Sequence, residues 1–242
     1  MEQALKISPR NPGEGLASYC YRILYNNIMN LRLLPNSIIN EAEIAAALGV
    51  SRTPVHEAMS RLKEETLIEI LPRKESRVSR ISLPQVCEGV FTRTSLEPRV
   101  VQLIIGKVSD ELKQQMQKSL DKQLEILESG QNTSEFYIYD RAFHEMLFKA
   151  AGKEYVYELS WMINLHSLRV SYLIDFDRSY FEAVEYSSLE EHQMLFDIIT
   201  EKRPLDFDLN QYMYLHITRF QRYVEPYVEH YPDFFTFVEE SC

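Results

Sequence analysis

The feature that most constrains the fold is a tight Gly49-Val50 turn between two short helical segments. The first segment, residues 41–48, is rich in alanine. The second is predicted over about residues 52–65, where Ser51 can cap its start. Two β-prone runs, LIEILP and SRVSRIS, follow and predict a hairpin. This succession of short helix, turn, second helix and hairpin is the order of a winged helix-turn-helix module.

The second helix of such a module enters the major groove of DNA with its N-terminal residues toward the bases. Here that end reads SRTPVHEAMSRL. Arg52 can offer a bidentate fork to guanine, and Ser51 and Thr53 can reach bases or phosphates. The hairpin carries positive side chains that could lie against backbone phosphates, namely Arg73, Lys74, Arg77 and Arg80. The same pattern would also suit a small helical domain with a solvated, charged hairpin.

The charge is distributed unevenly along the 242 residues. Residues 1–83 have a net charge of +2 and residues 84–242 a net charge of −12, which together give the overall −10. An acidic body should repel DNA, but a small basic module can still bind it through a local face. No apolar run is long enough to cross a membrane, and the N-terminus lacks the pattern of a signal peptide. We therefore expect a cytoplasmic protein.

From residue 84 onward the apolar spacing is helical, with no convincing strand. Helices are predicted at 84–106, 109–129, 133–151, 153–174, 189–202 and 208–230. Segment 175–188 is ambiguous, and the aromatic tail YPDFFTFVEESC has no assigned role. We therefore predict a mainly α protein, with a winged helix-turn-helix DNA-binding domain at 1–83. A C-terminal all-α bundle of about six or seven helices at 84–242 would bind an effector and dimerise.

Three of these helices carry polar side chains on the faces that their apolar residues turn inward. Asp140 and His144 lie one helical turn apart, so both can bind one ion. His192 and His216 lie among apolar residues on two later helices. A divalent cation would neutralise the buried carboxylate and occupy the imidazole lone pairs. A buried histidine is also commonly a hydrogen-bonded core residue, and both alternatives remain open here.

Other candidate residues have weaker patterns. Arg93 can bind an effector carboxylate through a bidentate fork, or it can pair with Glu97 one turn away. Arg169 is a second candidate for an effector pocket, and His166 is interpreted as core or pocket lining rather than a ligand. The three cysteines include no CxxC pair, so a cysteine zinc site is not expected.

The stretch LGVSRTPVHEAMSRLKEETLIEILP resembles the DNA-binding domain of the GntR family of bacterial transcription regulators, whose usual form is LGVSRTPVREAL-RL--EGLV---P. The resemblance implies a winged helix that reads DNA. His56 stands where the family has an arginine, and we include it among the DNA-facing residues. Glycines usual in the family are replaced by Asn36, Thr66 and Glu75, of which only asparagine readily tolerates a left-handed backbone.

Residues 84–225 are similar to the helical ligand-binding domain of the FadR branch of that family, often called the FCD domain. Metal-binding members carry Asp-x-x-x-His on one helix and one histidine on each of two later helices. The residues that match in order and spacing are Asp140, His144, His192 and His216. The opening helix matches the family's R-x-x-L-E start at Arg93, Leu96 and Glu97.

The resemblance implies a metal-binding, ligand-responsive regulator, which we expect to be a repressor. Its cofactor would be zinc, nickel or manganese, and its effector a small organic acid whose carboxylate contacts the metal and Arg93. A homodimer would read a short inverted repeat of double-stranded DNA, as two-fold symmetry requires. Two alternatives remain. One is a helical metalloenzyme whose ion activates water, and the other is a regulator that senses its effector without metal.

Overall fold

The computed structural model describes residues 5–70, 75–129, 135–177 and 184–236, with side chains from residue 188 onward in the last range. By its contacts the chain divides into two compact units. The first combines Met1–Pro84 with Leu168–Phe176 and the described part of Pro226–Cys242, and the second combines Gln85–Ser167 with Asp177–Glu225. The first segment ends at Pro84, one residue after the predicted end of the DNA-binding domain at residue 83. The two later segments of the first unit, however, lie within the range that was assigned to the helical domain.

The first unit contains a winged helix-turn-helix. Helix α1 packs on α3, and a three-stranded antiparallel sheet in the order β1-β3-β2 forms the wing. Asn40 caps α2 by accepting hydrogen bonds from the amides of Ala42 and Glu43, and the helix ends at Gly49 in the left-handed conformation. The elements are α1 Leu16–Met29, β1 Ile38–Ile39, α2 Glu41–Leu48, α3 Arg52–Glu64, β2 Ile68–Glu69 and β3 Ser76–Val78.

The predicted hairpin is present, but its second run divides between two sheets. Strand β3 pairs antiparallel with β2, with Ile68 opposite Val78. Strand β4, Ile81–Ser82, instead pairs in parallel with β5, Phe235–Thr236. The expectation that no strand follows residue 84 is therefore wrong. A two-residue strand has too few residues to show a period, and its partner is distant in sequence.

The helical region is divided more finely than predicted. The predicted helix 153–174 is two helices that meet at Asn164, and the predicted helix 208–230 is interrupted by a short 3-10 segment at Arg219–Tyr223. The remaining helices are α4 Leu83–Ile104, α5 Asp110–Ser129, α6 Phe136–Ala150, α7 Glu154–Ile163, α8 Leu165–Phe176, α9 Val184–Ile199, α10 Leu209–Thr218 and α11 Val224–His230. The prediction of a mainly α protein with an N-terminal winged helix is confirmed.

The core of the second unit is apolar and draws on α4, α5, α6, α9 and α10. Phe143, Leu147, Leu195 and Met213 are all fully buried in it. Polar side chains in this core therefore need partners. Within the described ranges, none of the helices combines the length and apolar character that a membrane crossing requires.

Two of the positions where the family usually has glycine adopt a left-handed backbone. Asn36 has φ = 66° and Thr66 has φ = 60°. Asparagine enters this conformation at little cost, but a β-branched threonine is strained there. Thr66 lies directly after the C-cap of α3, in the turn that leads into β2.

Candidate functional site

Three histidines from three helices meet in the core of the second unit. His144 lies on α6, His192 on α9 and His216 on α10, and all three are buried. The Nε2 atom of His144 lies 3.2 Å from that of His192 and 3.3 Å from that of His216. One ring nitrogen from each residue lies within 4.8 Å of the other two. The three helices therefore face one another, which their sequence pattern did not reveal.

The other ring nitrogen of each histidine contacts an acceptor on a different element. The three Nδ1 contacts are His144 with Glu97 Oε2 at 2.9 Å, His192 with Gln123 Oε1 at 2.9 Å, and His216 with Glu191 Oε2 at 2.7 Å. A carboxylate or amide oxygen can only accept, so each Nδ1 carries the proton. Each Nε2 is then left as an acceptor, and that of His144 also lies within reach of the Arg93 guanidinium.

This arrangement fits a divalent cation. Lone pairs that face one another in a buried space repel unless a positive charge lies between them. Ligand nitrogens about 2.1 Å from a metal are about 3.0 Å apart at a right angle and about 3.4 Å apart in a tetrahedral arrangement. The two observed separations, 3.2 and 3.3 Å, lie between these values. Hydrogen bonds from the distal ring nitrogens to oxygen acceptors are also typical of metal-binding histidines.

Two of the imidazoles are held in the neutral form that metal binding needs. Burial lowers the pKa of His192 well below its usual value, and the neighbouring His216, His144 and Arg93 lower it further. Burial likewise lowers the pKa of His216 to about 4, with Arg93 acting in the same direction. Both rings are therefore uncharged at neutral pH, with lone pairs available.

Asp140 lies at the edge of the cluster, one turn before His144 on α6. Its Oδ1 atom is 3.4 Å from His192 Nε2, and its side chain is 23% exposed. The four predicted metal ligands are thus brought together, with three imidazoles in the interior and one carboxylate toward solvent. Among the described residues, the group of three histidines is the cluster suited to a metal ion.

Arg93 and Glu97 on α4 border the same cluster. Arg93 donates to both carboxylate oxygens of Glu97, with Nε 2.5 Å from Oε1, and its NH2 lies 3.1 Å from His144 Nε2. Burial alone would raise the pKa of Glu97, but Arg93 and His144 hold it well below its usual range. The ion pair between Arg93 and Glu97 is therefore formed, and the guanidinium also reaches His144.

Three residues that surround the histidines, Gln123, Glu191 and Arg219, were not predicted from the sequence to be parts of the site. Gln123 is fully buried on α5 in register with Met116, Leu120 and Leu127, so a polar residue on an apolar stripe was the available signal. Glu191 also pairs with Arg219. Neither Glu191 nor Arg219 has a distinctive local sequence pattern. Glu191 contacts both His216 and Arg219 only because α9 packs against α10 and the segment after it.

Two predicted residues lie outside this cluster. Arg169 belongs to the first unit, where its guanidinium donates to Ser79 and to the backbone oxygen of Arg80. Its donors are thus engaged away from the histidines, and we do not retain it as an effector contact. His166 is buried on α8 and is not one of the three clustered histidines.

The residues of α3 that were predicted to face DNA lie on its exposed side. Ser51, Arg52, Thr53 and His56 are exposed, whereas Pro54, Val55, Ala58, Met59 and Leu62 are buried. Ser51 precedes the helix but makes no side-chain capping bond, so its hydroxyl is not used in the way the sequence suggested. His56 Nδ1 lies 2.9 Å from Glu41 Oε1.

Arg77 is the wing residue of the predicted DNA-binding set that the structure describes. It stands on β3, where its NH1 donates to Asn36 Oδ1 at 3.3 Å. Arg73 and Lys74, which were also predicted to contact DNA, lie outside the described residues.

A winged helix with an exposed polar recognition face, joined in one chain to a helical unit, defines the class of a DNA-binding transcription regulator. Comparison with known families agrees. The family described as "Bacterial regulatory proteins, gntR family" matches residues 16–78, and the FCD domain matches residues 88–207. The chain belongs to the GntR family of transcriptional regulators and carries an FCD domain.

Named relatives are regulators as well. The chain is 29% identical over 163 residues to the HTH-type transcriptional repressor RspR of Escherichia coli K12, covering 67% of this chain and 71% of the relative. It is 31% identical over 142 residues to an HTH-type regulator in the TAR-I ttuE-ttuC' intergenic region of Agrobacterium vitis, covering 57% and 82%. The fold resembles that of E. coli McbR/YncC, with TM-score 0.70, 17% identity and coverage of 90% and 99%. The family and these relatives are regulators, so the protein is not an enzyme.

Proposed function

We propose that the protein is a metal-dependent, ligand-responsive repressor in which Asp140, His144, His192 and His216 hold one divalent metal ion. The observation that carries the proposal is the convergence of three Nε2 lone pairs while each Nδ1 is bound to an oxygen acceptor. A cation relieves the repulsion between these lone pairs. It also neutralises the carboxylate beside them.

The donor set favours zinc, nickel or manganese. Imidazole nitrogen suits zinc and nickel, and the carboxylate oxygen broadens the set to manganese. The carboxylates of Glu97 and Glu191 hold the Nδ1 sides of His144 and His216, which fixes the orientation in which each ring would bind the ion. Removing either acceptor would therefore weaken metal binding without removing a ligand.

The effector we propose is a small organic acid. The bound cation would supply a Lewis-acid position for one carboxylate oxygen, and Arg93 would contribute charge-assisted hydrogen bonds. Arg93 suits this role because its NH2 already lies 3.1 Å from His144 Nε2 and its side chain remains 19% exposed. Glu97 would hold the guanidinium in place through the ion pair.

On the DNA side we propose a homodimer that reads a short inverted repeat, because a two-fold dimer matches a two-fold operator. Arg52 would read a base, and Ser51, Thr53 and His56 would contact bases or phosphates from the exposed face of α3. The wing residues Arg73, Lys74 and Arg77 would contact the phosphate backbone. The effector would act by favouring one of two states of the dimer.

Metal content is the direct test. Protein purified without chelators should contain about one equivalent of divalent metal per chain by elemental analysis, and zinc, nickel or manganese should raise its melting temperature by mass action. His192→Ala should lose the metal and that thermal response. His166→Ala is a matched control, since it removes another buried imidazole of the helical region and should keep the metal.

An effector screen follows the same logic. Small carboxylates should shift the melting temperature of the metal-loaded wild type but not of His192→Ala. Wild-type protein that contains no metal and shows no thermal response to the three ions would contradict the proposal. The four residues would then form a hydrogen-bonded polar cluster.

A further inference from the structure

The first unit contains a fully buried guanidinium, that of Arg169. Arg169 is 0% exposed, and among the described residues no carboxylate forms an ion pair with it. Its NH1 donates to Ser79 Oγ at 2.9 Å and to the backbone oxygen of Arg80 at 3.3 Å, and its NH2 donates to the backbone oxygen of Ser79 at 2.6 Å. Every one of these acceptors is neutral, and Nε has no hydrogen-bond partner in the part of the chain that the structure describes.

The acceptors lie where the chain passes from one sheet to another. Strand β3 ends at Val78 and pairs with β1 and β2, whereas β4 begins at Ile81 and pairs with β5. Between them, the Ser79 amide donates to the backbone oxygen of Leu67. In this link between the two sheets, the guanidinium of Arg169 donates to the backbone carbonyls of both Ser79 and Arg80.

A charge in this position is expensive. Burial lowers the pKa of Arg169 to about 9, so the side chain remains charged at neutral pH and its desolvation is not offset by an ion pair. Any long apolar residue could fill the volume without that cost. Unlike an apolar side chain, the planar guanidinium can donate to two successive backbone carbonyls at once and so fix their orientation. We therefore expect Arg169 to fix the path of the backbone at this link rather than to stabilise the fold by burying apolar surface.

We propose that Arg169 is a positioning residue for DNA binding, which sets the path of the strand that carries Arg77. Arg77 and Ser79 are two residues apart, so a change in direction at Ser79 moves the end of β3 on which Arg77 stands. Arg169 itself is buried and contacts no DNA. The inference rests on the proposed contact of the wing with phosphates.

A double-mutant cycle tests this coupling. The probe is a DNA duplex that the wild-type protein selects from a random-sequence pool, and the readout is the dissociation constant by fluorescence anisotropy. Arg169→Lys keeps the charge, but an ammonium cannot span two carbonyls. It should weaken binding about ten-fold alone and less than about three-fold in the Arg77→Ala background.

The matched control is the same cycle with Arg52→Ala. Arg52 acts from α3, so the effects of Arg169→Lys and Arg52→Ala should multiply. Far-UV circular dichroism and the melting temperature establish that each variant is folded. If Arg169→Lys does not fold, Ser79→Ala replaces it, because it removes only the hydroxyl that Arg169 NH1 contacts.

Two results would overturn the inference. The first leaves the proposed DNA contact of Arg77 intact, and the second contradicts that contact as well. If Arg169→Lys weakens binding by the same factor with and without Arg77, or not at all, Arg169 does not act through the wing, although the DNA contact of Arg77 stands. If Arg77→Ala alone leaves the affinity unchanged, the proposed phosphate contact of Arg77 fails together with the inference.

Discussion

Replacing Gln123 by leucine should weaken metal binding while leaving the metal-free protein almost as stable as before. Gln123 is fully buried, and its Oε1 accepts the Nδ1 proton of His192 at 2.9 Å. Leucine has a similar size but no acceptor. The substitution therefore removes the hydrogen bond that fixes which nitrogen of His192 carries the proton.

The size of the expected loss of metal affinity follows from the Nδ1 proton of His192, which Gln123→Leu leaves without an acceptor. A buried N–H without an acceptor costs about 1–3 kcal/mol. His192 can avoid this cost by moving its proton to Nε2, but that nitrogen then cannot bind a metal. Metal affinity should consequently fall by about 10–100-fold, the range expected when the hydrogen-bond partner of a metal ligand is lost. In the metal-free protein the loss of stability is partly offset. The amide nitrogen of Gln123 has no hydrogen-bond partner among the described residues, and leucine removes that buried donor.

The assay is competition with a chromophoric chelator for zinc, combined with melting curves of the metal-free and metal-loaded forms. Gln115→Leu on the exposed face of the same helix is the matched control, and it should change neither quantity. The reasoning would be refuted if Gln123→Leu bound zinc as tightly as the wild type. It would also be refuted if the metal-free form lost as much stability as the metal-loaded form.

Two further predictions concern stability. Thr66→Gly should raise the free energy of unfolding of the DNA-binding unit by about 0.5–1 kcal/mol, because relief of the left-handed strain at φ = 60° exceeds the entropy cost of glycine. Glu65→Gly, at φ = −81°, should lower it, and chemical denaturation distinguishes the two signs. Second, the folded-state pKa of His216, about 4, lies below the unfolded value of 6.5, so stability of the metal-free protein should be full above pH 6.5 and fall as the pH drops toward 4. His216→Gln should reduce that pH dependence, and an equal dependence in both proteins would exclude His216 as a cause.

The winged helix was predictable because its signals are local. A left-handed glycine at Gly49, an apolar stripe along α3 and a hairpin pattern each occupy a few adjacent residues. The two-residue strand β5 was missed because strand pairing over a long sequence distance leaves no local pattern. The break at Asn164 was missed as well, since both helices that flank it have continuous helical spacing.

Local spacing also identified all four proposed metal ligands but only part of their surroundings. Asp140 and His144 share a face because they are one turn apart, which any α-helix guarantees. The partners of the Nδ1 atoms, Glu97, Gln123 and Glu191, could not be identified in this way. Each reaches its histidine from a different helix.

The sequence by itself determined the type and order of the elements and the residues that each helix turns toward the interior. These properties depend on the helical period and on turn chemistry, which act within a few residues. Only the tertiary structure decided that His144, His192 and His216 converge and that Arg169 binds the link between β3 and β4 rather than an effector. The physical reason is that contacts between helix faces, and the acceptors of buried donors, depend on the packing of segments that are distant in sequence. The periodicity of one helix shows which face is buried but not which other helix covers it.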